Sequence, residues 1–149
     1  MKYSEARQGR VFILRLEDGE VLHEVVEAFA KEHGVRAAWL IAVGGADRGS
    51  RLVVGPERGR AAKIVSQMFE LDEAHEVAGV GTLFPDEDGA PLVHMHMAAG
   101  RNDRAIVGCV RVGVKTWHVL EVIMVELLDT RACRKLDKEL GFKLLRPEG

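Results

Sequence analysis

Between residues 11 and 128 the chain repeats one pattern, a β-rich apolar run closed by a short turn signal, and a single amphipathic stretch interrupts it. Val11-Phe12-Ile13-Leu14-Arg15-Leu16 ends at Asp18-Gly19, and residues 37–43 run into Gly44-Gly45. Residues 63–71 and 76–84 follow, joined by Asp72-Glu73-Ala74, and the turn-rich stretch 85–90 leads into residues 91–97. Residues 106–110 and 117–128 complete the series beyond a polar connection at 100–104. Over residues 20–33 the apolar positions instead recur at helical spacing, with Gly34 as a stop signal. Successive strands joined by short turns need no crossover helices, so the pattern predicts one α+β domain with a central, mostly antiparallel sheet and flanking helices. Three further expectations follow. Residues 51–54 continue the second strand beyond the Gly44-Gly45 bend, and residues 63–71 pair antiparallel with 76–84. The domain spans residues 1–128, and residues 129–149 form a charged C-terminal extension, part helical around residues 134–140.

A chain of 149 residues is long enough to build one substantial core without disulfides. Only 5% of it is aromatic, so aliphatic side chains must fill that core and little remains for base-stacking platforms. With 21 basic against 23 acidic side chains, the net charge of -2 supplies no global field to draw in a polyanion. Cys109 and Cys133 stand far apart and form no CxxC unit, which excludes a zinc ribbon and a thioredoxin-like redox motif. Buried thiols in a reducing compartment are expected, with a disulfide as the alternative. Charged residues follow Met1 where a signal peptide would be apolar, and no run approaches about 18 apolar residues. A cytoplasmic protein without a membrane partner is the expectation.

The run Pro91-Leu92-Val93-His94-Met95-His96-Met97 carries the strongest chemical signal. Alternate residues of a strand project from one face, so two imidazoles roughly 6–7 Å apart at their backbones point together. Neutral imidazole ligates zinc, copper, nickel and iron, and two on one strand supply half of a tetrahedral shell. The competing reading is a half-buried strand whose polar face carries two histidines.

Taken in order, Met68-Phe69-Glu70-Leu71, Gly79-Val80-Gly81-Thr82-Leu83, Leu92-Val93-His94-Met95-His96 and Val119-Leu120-Glu121-Val122-Ile123 resemble the PPC (plant and prokaryote conserved) domain over residues 8–128. No single piece is specific; their order is. The resemblance implies a compact α+β domain assembled as a homotrimer. Some prokaryotic members contain metal, with histidines of the His-x-His segment among the ligands, and in plants the domain stands beside DNA-binding AT-hooks. Where many members read Gly-Gly-His-Leu, this chain reads Gly108-Cys109-Val110-Arg111, which sets Val110 in the histidine's place. His118 becomes the candidate third ligand, on the expectation that its strand neighbours the one bearing His94 and His96. The three would hold a divalent transition ion, zinc first, with a position open for water or substrate.

Glu121 and Glu70 are the carboxylates that could act as a base or orient a ligand near such an ion, or simply form cross-strand ion pairs. Arg101, Arg111 and Lys115 offer a cationic rim for a carboxylate or phosphate, unless they are solvated loop charges. Cys109 lies in an apolar run without a local base and reads as packing. Trp39 and Trp117 are expected in the core or at a subunit contact. Arg58-Gly59-Arg60 resembles an AT-hook core, but Ala61 follows it where proline would stand. The combined reading is a metal-containing homotrimer that binds a small anionic ligand or partner near a subunit boundary. Its alternatives are a DNA-associated regulatory protein and a structural trimerisation module. No motif specifies a reaction.

Overall fold

A computed structural model describes residues 1–61 and 63–148. In chain order the elements are β1 (Arg7–Glu17), α1 (Leu22–Glu32), β2 (Ala38–Ala46), β3 (Arg51–Pro56), β4 (Ser66–Glu70), β5 (His75–Pro85), β6 (Pro91–Arg101), β7 (Arg104–Cys109), β8 (Thr116–Leu128), β9 (Cys133–Asp137) and β10 (Phe142–Arg146). The first eight strands form one sheet in the order β1-β8-β2-β5-β6-β7-β3-β4, and β9 and β10 pair separately. Every pairing is antiparallel, as the short connections require. The fold is α+β, and among the described residues a single helix flanks the sheet.

Strand alternation divides the sheet into two unlike faces. Leu40 on β2, Met95 and Met97 on β6, and Val122 and Met124 on β8 point inward, where they meet Leu22, Val26 and Ala30 of α1 in one core. Those three helix positions are four residues apart and fall on one stripe, and Gly34 at φ 65° ends the helix in a conformation a side chain would resist. The outer face is apolar too, yet much of it is exposed. Ile13, Ile41 and Val80 face out on β1, β2 and β5. At one end of that face the β9–β10 hairpin covers Phe84, which joins Ala37, Ala132 and Leu127 in a second small core.

Three expectations are corrected. Residues 51–54 do not prolong β2; they belong to β3, which lies between β7 and β4 at the far end of the sheet. The second half of β2 does bend, with an irregular register between Gly44 and Ala46. β4 and β5, adjacent in sequence, do not pair: β4 pairs with β3, and β5 with β2 and β6. The segment around residues 134–140 is no helix. It is β9 and the turn into β10, because Leu136 N–H donates to the Glu87 carboxylate and Lys143 Nζ reaches Asp86 at 2.8 Å, contacts that tertiary structure alone supplies.

Candidate metal centre and adjoining cavity

On β6, Val93, Met95 and Met97 face the core, so His94 and His96 must face outward. Gly81 on β5 stands opposite Met95, and a Cβ there would lie 2.6 Å from the Met95 Cβ; the glycine lets the strands close with both methionines inside. Glu27 of α1 accepts the Val93 N–H at 2.8 Å and ties the helix to the histidine strand. The His94 and His96 rings lie 5.1 Å apart between centroids, edge to face.

The third donor comes from β7. Its Cys109 sits directly across from His96 in the β6–β7 register. Gly108 permits β3 to approach, since a Cβ there would lie 2.8 Å from Leu52 Cβ. One ligand atom from each of His94, His96 and Cys109 lies within 4.8 Å of the other two, with Cys109 buried and both histidines exposed. Two nitrogens and a sulfur on rigid adjacent strands fit a transition ion that forms bonds of about 2.0 Å to nitrogen and 2.3 Å to sulfur. Desolvation, and then the positive charges of Arg134, His96 and Arg111, hold the His94 imidazole below its ordinary pKa. The neutral form, which alone ligates a metal, is thereby favoured.

The expected third ligand is elsewhere. β8 neighbours β1 and β2, and two strands, β2 and β5, separate it from β6, a gap of about 14 Å at ordinary strand spacing. His118, the third residue of β8, has φ 57°, its N–H donates to Asp18 Oδ1 at 2.7 Å, and its ring packs edge-on against Trp117 at 4.5 Å. Val110, which the comparison with Gly-Gly-His-Leu set in the histidine's place, is in the core. Shifting that comparison by one residue, to Val107-Gly108-Cys109-Val110, puts Cys109 where the histidine would be.

Neither carboxylate reaches the cluster. Glu121 on β8 stands between Arg15 of β1 and Val43 of β2, and Glu70 on β4 stands opposite Arg51 of β3. Arg101 donates to the Ala74 carbonyl at 2.8 Å beside a different cavity, and Lys115 lies 3.5 Å from Asp47. Arg111 does reach the site: with His94 and Cys109 it lines a cavity of about 420 Å³ that β9 and β10 close from above. Trp39 and Trp117 are both partly exposed on the sheet, and Arg58-Gly59-Arg60 is an exposed turn between β3 and β4. Sequence reasoning missed Arg134, which is buried in the wall of the same cavity. Its Nη2 donates to Thr82 Oγ1 at 2.7 Å and its guanidinium carbon lies 5.9 Å from the Phe84 ring centre.

The model of the Plants and Prokaryotes Conserved (PCC) domain matches residues 3–128. The chain belongs to that family. Among solved PCC-like structures, a metal-containing protein from Archaeoglobus fulgidus superposes with a TM-score of 0.80 at 26% identity, over 98% of this chain and 99% of that one. A plant- and prokaryote-conserved (PPC) protein from Pyrococcus horikoshii gives 0.81 at 22% identity, over 97% of each chain. A putative DNA-binding protein from Bacteroides thetaiotaomicron gives 0.76 at 18%, over 97% and 99%, and shares the fold. The bifunctional protein GlmU of Synechococcus sp. is 26% identical over 141 residues, 93% of this chain, which spans only about a fifth of that relative's length. Within the PCC domain of this chain lie all three clustered donors, whereas Arg134 falls outside residues 3–128. No helix among the described residues is long and apolar enough to cross a membrane.

Proposed function

We propose that this PCC domain holds one divalent transition ion, zinc first, on His94, His96 and Cys109, and takes a small anion in the adjoining cavity. The convergence of two imidazoles and a thiol within 4.8 Å carries the reading. The metal-containing relative from Archaeoglobus fulgidus, similar over nearly its whole length, supports it. When bound, such an ion supplies Lewis acidity and a coordination position for an anionic group. The chain's own residues contribute a rigid two-strand base, a neutral imidazole at His94 and the cations Arg111 and Arg134 beside it.

Assembly as a homotrimer is part of the proposal, supported by the exposed apolar outer face on which the donors also lie. A cytoplasmic setting fits two cysteines that are both free and buried. The DNA-associated alternative draws on relatives named as putative DNA-binding proteins, but at 18–19% identity these speak for the fold alone.

Elemental analysis of untagged protein tests the metal. We expect about one transition ion per chain, falling at least tenfold in the double variant His94→Ala, His96→Ala. Wild-type protein that emerges metal-free and takes up no zinc on dialysis would overturn the reading.

A further inference from the structure

We infer that the cavity beside the histidine pair is a binding site for a small organic carboxylate with an apolar tail, anchored by Arg134. The inference deepens the anion half of the proposed function and rests on it.

Arg134 is 4% exposed, and among the described residues no carboxylate pairs with it. One nitrogen is satisfied by Thr82, while Nε is buried with no hydrogen-bond partner. A guanidinium keeps its charge in proteins, and burying it with a free donor is costly unless an acceptor meets it. Arg134 lines the cavity, and its guanidinium keeps a donor that the protein leaves unpaired. Lys143, in the same wall, is already neutralised by Asp86 at 2.8 Å and Glu87 at 3.4 Å. Arg111 is exposed at the same cavity and has no ion pair among the described residues. Two unpaired guanidinium groups at one cavity select an anion, and their planar forks match a carboxylate.

The rest of the lining fixes the tail. Leu92, Phe142 and Leu145 add an apolar wall, with Leu145 directly beside Arg134 in the β9–β10 register, and at about 420 Å³ the cavity is in the range of small-molecule sites. A fully hydrated inorganic anion would leave that wall wet, whereas a short aliphatic or aromatic acid covers it. Because β9 and β10 furnish Arg134, Phe142 and Leu145, specificity resides in the segment beyond residue 128, outside the PCC match.

Calorimetric titration with hexanoate, hexanamide, acetate and inorganic phosphate tests this, with metal content measured on the same samples. We expect hexanoate to bind at least tenfold more tightly than each of the other three. Arg134→Met should lose at least tenfold in hexanoate affinity with its circular dichroism unchanged, and Arg134→Lys should recover part of it. Should Arg134→Met fail to fold, the hexanoate-to-hexanamide ratio on wild-type protein, together with Arg111→Met, still decides. Hexanoate binding that survives His96→Ala or a metal-free preparation supports the carboxylate site independently of the metal, whose presence the elemental analysis of wild-type protein decides separately. Equal binding of hexanoate and hexanamide, no binding of either, or phosphate binding more tightly overturns the inference, including the case in which Arg134 serves only to hold Thr82 and pack on Phe84.

Discussion

A thiol at position 109 changes what the cluster can hold. Two imidazoles alone accept most first-row ions, but adding sulfur shifts the preference toward zinc and cobalt and away from magnesium or manganese. Cys109 is buried while both histidines are exposed, so it is the donor least able to be displaced by solvent. Cobalt substitution reports on it directly: the wild type should show a thiolate-to-cobalt charge-transfer band. Cys109→His should keep the ion and lose the band, whereas Cys109→Ala should lose the band and weaken binding by roughly tenfold or more. A band that persists in Cys109→Ala would place the sulfur elsewhere. The histidine pair was legible because a period of two is visible in the sequence itself. Cys109 was not, since its partnership with His96 depends on the β6–β7 register, and an apolar neighbourhood reads as packing until that register is known.

Single elements are held by charges that reach across the sheet. Glu126 of β8 is buried and takes three hydrogen bonds from Arg10 of β1, at 2.7, 2.8 and 3.1 Å. The Arg10 side-chain hydrogen bonds hold the Glu126 carboxyl below its ordinary pKa, against an opposing effect of burial. A carboxylate whose pKa is lower folded than unfolded stabilises fully above its unfolded value, about 4.3, and the gain disappears as pH falls through the folded value. In urea unfolding, Glu126→Gln should therefore be clearly less stable than wild type at pH 7, with the gap closing below about pH 4. An equal gap at pH 7 and pH 3 would show that the ion pair is not the cause. The same class of contact explains where element-level reading failed. Residues 134–140 have a helix-compatible composition, but Glu87 and Asp86 at the β5–β6 turn capture Leu136 and Lys143 and impose a hairpin. Propensity is a weak prior when partners some 50 residues away decide the outcome.

For the whole molecule, strand count and antiparallel character were readable from local runs, and strand order was not. β8, near the end of the domain, inserts between β1 and β2, and such non-local pairing leaves no mark in any window of sequence. That insertion aligns Ile13, Ile123 and Ile41 in one cross-strand row that continues through Val80 to His96 and Cys109. One end of the row carries the candidate ligands; Val80, next to His96, is 66% exposed and Ile13, at the far end, is 80% exposed. Edge-to-edge growth is opposed at β1 by Arg7, Arg10, Arg15 and Glu17, charges of the kind that blunt a sheet edge, so at this end of the sheet the apolar face is the surface available for self-association. Sedimentation equilibrium should give about three times the 16.4 kDa chain mass. Ile13→Glu combined with Ile41→Glu should reduce it to a single chain while leaving the far-ultraviolet spectrum intact, because both side chains point away from the core under α1. A wild-type protein that sediments as one chain would remove the assembly from the proposal. It would leave the metal cluster standing, since all three of its donors come from one copy.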